Sequence, residues 1–320
     1  MAKYIGIDIG GTKCATLIAE DDGDGLRFIS RIEEKTAGGY RTIIAKLKAN
    51  IRKQLEKAGL TVEDIKSIGI ACGGPLNEET GVILSPPNLP DWDGVPVCEM
   101  FREEFSLPCY LMNDANACAL AEYKYGAGVG AKNFVFMTYG TGLGAGMVLN
   151  GNLYVGSSSM AGEVGHIRIS TQGETCYHKK GCFESFCSGA GMRLHAIRYL
   201  KKELDAGREI FWDAQRLEEL TVKDIKRFAD EGNKQALHIY AKAGYYLGKG
   251  LAILVDIVNP DRICIGGIYT RAEKYIRPQM LKMLKKEALP EAVSAVRVVP
   301  SVLKEQIGDY SAVTVAKSRE

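Results

Sequence analysis

Three stretches of this sequence place reactive residue types where strands end. In Asp8-Ile9-Gly10-Gly11-Thr12-Lys13 a carboxylate closes an apolar run and two glycines follow it. Glycines there let the backbone approach a phosphate closely, and Thr12 and Lys13 add donors. The spacing fits neither GxGxxG nor GxxxxGK[ST], and a tight turn capped by Asp8 is the competing reading. Tyr139-Gly140-Thr141-Gly142-Leu143-Gly144 repeats the design, and two such cradles facing each other can hold a β- and a γ-phosphate. Gly266-Gly267, after a third strand, lets a flat purine lie against the backbone.

Asn113-Asp114 falls at a strand-to-helix junction, where the helix dipole stabilises a carboxylate and suits it to general-base work. Asp114 as a helix N-cap, with Asn113 satisfying a turn, is the structural alternative. Gly162-Glu163-Val164-Gly165-His166 sets an acid and an imidazole three residues apart between glycines, and Glu184 follows. Carboxylates, an amide and an imidazole around one cleft suit a ligand rich in hydroxyls, each of which donates one hydrogen bond and accepts others.

The elements that must position these residues follow from periodicity. Strands are expected at 4–9, 14–20 and 26–32, the last two joined by the polar turn 21–25, which is an antiparallel beginning. A helix follows, with Ile43, Ile44, Leu47, Ile51 and Leu55 on one face and Gly59 closing it. A strand at 65–72 ends in Gly73-Gly74-Pro75, Pro86-Pro87-Asn88-Leu89-Pro90 is a stiff loop, and a strand at 109–112 leads into a helix at about 115–125. The pattern then restarts, with strands at 133–139, 145–149 and 153–155 and a hairpin signal at Asn150-Gly151-Asn152. The remainder is expected to be mainly helical, at roughly 190–206, 222–230, 234–258, 271–287 and after Gly308, with a single strand at 262–265. The repeated strand–turn–strand unit reads as two related halves facing a common cleft.

The 320 residues exceed one ordinary core and suggest two domains. Hydrophobic residues make up 46% and charged residues 25%, as in soluble globular proteins. Lys and Arg number 41 against 39 Asp and Glu, a net charge of +2, so no basic excess is available for nucleic acid. The longest apolar stretch, Leu251–Val255, stops at Asp256, which argues against a membrane partner. With no signal-peptide pattern at the start and nine scattered cysteines, the expected location is cytoplasmic, with most cysteines as free thiols.

Taken in order, Asp8-x-Gly-Gly-Thr-Lys13, Asn113-Asp114, Gly140-Thr-Gly-x-Gly144, Gly162-Glu-x-Gly-His166, Gly181-Cys-x-Glu184 and Asn259-Pro260…Gly266-Gly267 span almost the whole chain. Together they resemble the ROK family (repressors, open reading frames and sugar kinases) of the actin-like ATPase fold. The resemblance implies an α/β fold of two actin-like, ribonuclease H-like lobes around a central cleft. The expected lobes are 1–113 with 305–320, and 114–304. It further implies an ATP- and magnesium-dependent kinase acting on a hexose, and a homodimer. Position by position, Asp114 is implied as the base, with Gly74, Asn88, Asn113, Glu163, His166 and Glu184 joining it around the sugar. Asp8 would position the magnesium–phosphate group, and Gly11, Thr12, Lys13, Gly140, Thr141 and Gly142 would line the phosphates. Gly266 and Gly267 would lie against adenosine. The expected reaction carries the γ-phosphate of ATP to a hexose hydroxyl, with C6 of glucose as default; a β-glucoside or other disaccharide and an N-acetylhexosamine are alternatives.

Zinc-bearing members of the family carry a histidine followed by Cys-x-Cys-Gly-x-x-Gly-Cys. Here the segment reads Cys176-Tyr177-His178-Lys179-Lys180-Gly181-Cys182. Anchored on Gly181-Cys182, the pattern puts Tyr177 on the middle cysteine; anchored on Cys176, it puts His178 there and the loop is one residue short. His166, Cys176, His178 and Cys182 are thus a candidate zinc set, against a metal-free loop with two leftover thiols. A non-catalytic sugar sensor or a repressor is the second function class. A first strand starting at Tyr4 leaves no room ahead of it for a helix-turn-helix domain, and Asp114 speaks for catalysis. Lys46, Lys48, Arg52 and Lys53 read as the solvated face of a helix.

Overall fold

The computed structural model describes residues 1–23 and 25–318. Asp24, within the expected turn 21–25, and Arg319 and Glu320, at the end of the expected first lobe, lie outside the described residues. The chain divides into two compact units, Met1–Val129 with Leu303–Glu320, and Gly130–Val302.

In the first unit β1 (Ala2–Ile9), β2 (Lys13–Asp21) and β3 (Leu26–Lys35) form an antiparallel meander, followed by α1 (Tyr40–Ala58). β4 (Ile65–Cys72) pairs with β1 in parallel. A small hairpin of β5 (Leu76–Asn77) and β6 (Val82–Ile83), then α2 (Val97–Phe105), lead to β7 (Cys109–Asn113) beside β4. The strand order is β3-β2-β1-β4-β7, and α3 (Asp114–Tyr125) continues directly from β7. β1 is a continuous apolar run because both of its faces are covered. Ile5, Ile7 and Ile9 join Ile43, Ile44, Leu47 and Ile51 of α1 in one core, while Tyr4 on the other face joins Ala312, Val313 and Ala316.

The second unit repeats the plan. β8 (Phe134–Tyr139), β9 (Leu143–Leu149) and β10 (Asn152–Tyr154) are antiparallel neighbours. A two-residue hairpin of β11 (Thr175–Cys176) and β12 (Lys179–Lys180), a single turn α4 (Glu184–Cys187), and helices α5 (Gly189–Asp205), α6 (Val222–Asp230) and α7 (Lys234–Val258) follow. β13 (Arg262–Ile265) pairs in parallel with β8. After α8 (Ile268–Glu287) and α9 (Pro290–Ala295), β14 (Arg297–Pro300) pairs in parallel with β13, giving the order β10-β9-β8-β13-β14. The expectation of a single strand in this region is therefore corrected: β14 spans only four residues, and its pairing partner lies 35 positions away in register, Arg262 against Arg297. Long-range partners of short strands leave no local periodicity to read.

The final helix α10 (Ile307–Lys317) belongs to the first unit and packs on β1, β4 and α3. That packing draws α3 into the first unit, so the boundary falls after Val129, whereas the sequence reading placed it before Asp114. The chain re-enters at Leu303, where the buried Glu122 carboxylate accepts the Ala127 N–H at 2.6 Å and the Leu303 N–H at 3.0 Å. Among the described residues no helix is long and apolar enough to cross a membrane.

Gly69 of β4 is where α10 comes closest. A Cβ there would overlap the Ala312 carbonyl oxygen and the Ala316 nitrogen, both backbone atoms that cannot swing aside. Gly69→Ala is expected to lose about 2–3 kcal/mol of unfolding free energy, the cost of overpacking a rigid interface. Gly25→Ala, where nothing lies within 4 Å of the added carbon, is the control and should stay near zero. Urea unfolding of the two variants checks this; equal stability would mean that α10 is not held against β4.

Candidate active site

In each unit the candidate residues collect at the carboxyl ends of parallel strands, the usual binding edge of open α/β sheets. In the first unit β1 ends at Asp8-Ile9, β4 at Cys72 before Gly73-Gly74, and β7 at Asn113 before Asp114. The Asn113 carboxamide oxygen accepts the N–H groups of Ala115 at 3.0 Å and Asn116 at 3.4 Å. Asn113 is therefore the N-cap of α3, and Asp114 is released from the capping duty that the sequence left open. The Asn113 side-chain amide nitrogen turns toward Gly74, 3.4 Å from where a Cβ would stand, and the Asn113 backbone N–H donates to the Glu78 carboxylate at 3.0 Å. Asn88 backs onto Gly11 and approaches Gly73, and Gly73 also borders Asp114. Asp8, Gly11, Gly74, Asn88, Asn113 and Asp114 are thus gathered at one sheet edge.

The electrostatics of that edge are set first by burial, and at Asp8 by neighbouring acids as well. Asp8 is raised to about 7, first by burial, then by Asp114 and Asp309, with Arg31 and Lys13 opposing. Asp114 is raised by the surrounding protein and held back by the Ala115 N–H, which its carboxylate accepts at 2.8 Å. Asp8 is half-buried and Asp114 keeps exposed surface, so both crowded carboxyls stay open to water. Burial, then the charges of Asp114 and Asp8, also push up the Cys72 thiol between them. Arg31 pairs with Asp309 at 2.9 Å, and Gly308 abuts the Asp8 carboxylate. These three, with Glu78, were not singled out in the sequence. The one available signal is Gly308-Asp309 near the start of a helix, which no local chemistry links to Asp8. Lys13 directs its ammonium to Glu33 at 3.0 Å, and Thr12 is exposed beside it.

In the second unit β8 runs into Gly140-Thr141-Gly142. Glu184, at the start of α4, accepts the Leu143 N–H at 2.8 Å and touches Gly142. The Gly189 N–H that opens α5 donates to the Gly140 carbonyl at 2.7 Å, which fixes the turn. Gly267 follows β13 with φ +62, and a Cβ would overlap the Tyr139 carbonyl, so only glycine permits this approach. Gly140, Thr141, Gly142, Gly266 and Gly267 therefore share one edge. Glu163 and His166 sit together, Oε2 to Nε2 3.8 Å, both substantially exposed.

The candidate zinc set does not assemble. Among the described residues no three His, Cys, Asp or Glu side chains are grouped to hold a metal ion. The Cys182 thiol is buried and donates to the Cys176 carbonyl at 3.2 Å, while the Cys176 thiol donates to Glu184 at 3.5 Å. Burial and the Glu184 charge push the Cys176 thiol up to about 12. The His166 ring lies against Tyr177, centroids 3.3 Å apart and planes 22° apart, and His178 is exposed at the tip of the β11–β12 turn. These donors do not fit the zinc reading.

Comparison with known proteins gives a consistent picture. The ROK family pattern matches residues 4–319. A glucokinase of Halalkalibacterium halodurans is 30% identical over 99% of this chain and 96% of its own length. A xylose repressor of Caldicellulosiruptor bescii is 32% identical over 83% of this chain and 66% of its own. Among solved structures, a ROK family glucokinase from Streptomyces griseus in complex with glucose and AMPPNP superposes with a TM-score of 0.80 at 27% identity, covering 99% of this chain and all of that one.

The crowded acids make a pH prediction. Asp8 has a raised pKa when folded, so its contribution is fully present below the unfolded value near 3.8 and is lost as pH rises through about 7. Asp8→Asn should match the parent protein near pH 4 and exceed it in stability at pH 8, by on the order of 1 kcal/mol once the half-exposed position is discounted. Urea unfolding across this range measures it, and a difference independent of pH would refute the crowding.

Proposed function

This chain belongs to the ROK family and has its actin-like ATPase fold, and on that footing we propose that it is an ATP-dependent sugar kinase that phosphorylates a hexose, with glucose at C6 the substrate to test first. The observation that carries the proposal is Asp114: it sits at the first turn of α3, relieved of capping by Asn113, crowded by protein yet open to solvent. A carboxylate raised toward neutrality is a better proton acceptor for a hydroxyl than one at the ordinary carboxylate value. Asp114 takes the proton from the attacking sugar hydroxyl. Gly74, Asn88, Asn113, Glu163, His166 and Glu184 hold the remaining hydroxyls; the Asn113 amide nitrogen donates, since its oxygen is committed to the helix.

Magnesium ATP would supply the activated phosphoryl group and neutralise the charge that develops on it. Asp8 suits a hard divalent cation: its ionised carboxylate is disfavoured by burial and then by Asp114 and Asp309, a penalty that a cation offsets. Gly11, Thr12, Gly140, Thr141 and Gly142 line the phosphates, and Lys13 exchanges Glu33 for one of them. Gly266 and Gly267 lie against adenosine. The glucokinase relatives support glucose; β-glucosides and N-acetylhexosamines are the other candidates. The repressor relatives keep a sensor reading in play, and turnover separates the two.

The test is a coupled ADP-release assay with glucose, mannose, fructose, N-acetylglucosamine, N-acetylmannosamine and cellobiose. One sugar should give turnover, and Asp114→Asn should lower kcat by about 10²–10⁴-fold while leaving the sugar dissociation constant within about threefold. Robust turnover in Asp114→Asn would remove its role as base. Sugar binding with no turnover on any member of the panel would favour the sensor.

A further inference from the structure

The hairpin that follows His166 departs from both of its precedents, a metal loop and an ordinary tight turn. Cys176 pairs with Lys179, so Tyr177 and His178 alone make the turn, at φ +51 and φ +60. Two-residue hairpin turns with both central residues left-handed belong to Asn-Gly or Asp-Gly, because a Cβ is disfavoured there. A tyrosine and a histidine in this conformation persist only where surrounding contacts over-determine the backbone. The contacts are present. The Tyr177 ring stacks on His166 at 3.3 Å, planes 22° apart. The neighbouring Cys176 thiol reaches the Glu184 carboxylate at 3.5 Å.

We propose that Tyr177 is a positioning residue that takes over the task of a metal ion: its ring ties the 175–180 hairpin to His166, while the adjoining Cys176 ties it to Glu184, and together they orient both side chains toward the sugar. Aligned on Gly181-Cys182, Tyr177 occupies the place of a zinc-ligating cysteine, and it meets His166, the family's other expected ligand, through a ring face. A stacked pair holds the imidazole plane as a coordination bond would, and leaves Nε2 beside Glu163. The strained turn supplies the reach: with extended backbone at position 177 the side chain would follow the strand instead of folding back over His166. The orientation of both groups then depends on no metal. The sugar-facing part of this inference rests on the proposed kinase reading.

The experiment takes the intact chain purified without chelators. Elemental analysis is expected to find far less than one zinc per chain, and a zinc-selective chelator with magnesium in excess should leave turnover unchanged. Tyr177→Ala should raise the KM for sugar about tenfold or more, with kcat and the KM for ATP within about twofold. Tyr177→Phe keeps the ring and should fall between Tyr177→Ala and the parent. The chain has four histidines, so the His166 imidazole protons can be assigned by NMR with His166→Gln. They should be shifted upfield by the stacked ring in the parent and in Tyr177→Phe, and return to ordinary values in Tyr177→Ala. Stoichiometric zinc, or an imidazole signal unmoved by Tyr177→Ala, overturns the proposal. So does an unchanged sugar KM in a chain that turns over. A chain without turnover that still shows the ring shift and no zinc refutes only the kinase reading.

Discussion

Asp8 and Asp114 end strands on either side of β4, and the charge of Asp114 makes Asp8 harder to ionise. A sheet that puts two acids at one edge must spend stability to do so, and much of the first unit can be understood as containing that cost. Arg31 and Lys13 oppose it, Arg31 while paired to Asp309. Asn113 takes the cap of α3, so Asp114 need not, and the Ala115 N–H steadies the carboxylate without neutralising it. Such a site is poorly arranged for its own stability and well arranged to receive positive charge. That asymmetry is common where function and stability compete for the same residues.

Much of this was legible in the sequence, and the failures have a shared physical origin. α6 and α7 lie where periodicity put them, at 222–230 and 234–258, because their signals are local: Thr221 and Asp224 form a capping box and Asn233 caps the next helix. The two strand–glycine turns were recognisable for the same reason. What escaped depends on partners distant in the chain. β14 exists because β13 offers it an edge, α3 joins the first unit because α10 packs on it, and Asp309 matters to Asp8 across some 300 residues. The choice between Asn113 and Asp114 as cap is a matter of one torsion, which residue types cannot express. The 175–182 segment offers ligand types at nearly the right spacing, but spacing does not show that each thiol already has an acceptor and that one imidazole has a ring against it.

Glucokinases and repressors resemble this chain to similar degrees, so the fold by itself does not separate catalysis from sensing.

The position of α10 has a consequence for how the protein is made. On a ribosome the β1–β4–β7 sheet emerges early, yet Tyr4, Leu17 and Ala19 on one of its faces pack against Ala312, Val313 and Ala316, which are translated only after the whole second unit. The intervening 130–302 unit is continuous in sequence and can complete its own core while that apolar face still waits. The first unit therefore cannot close its core until the second has been synthesised, and until then its apolar face is the kind of exposed surface that invites aggregation.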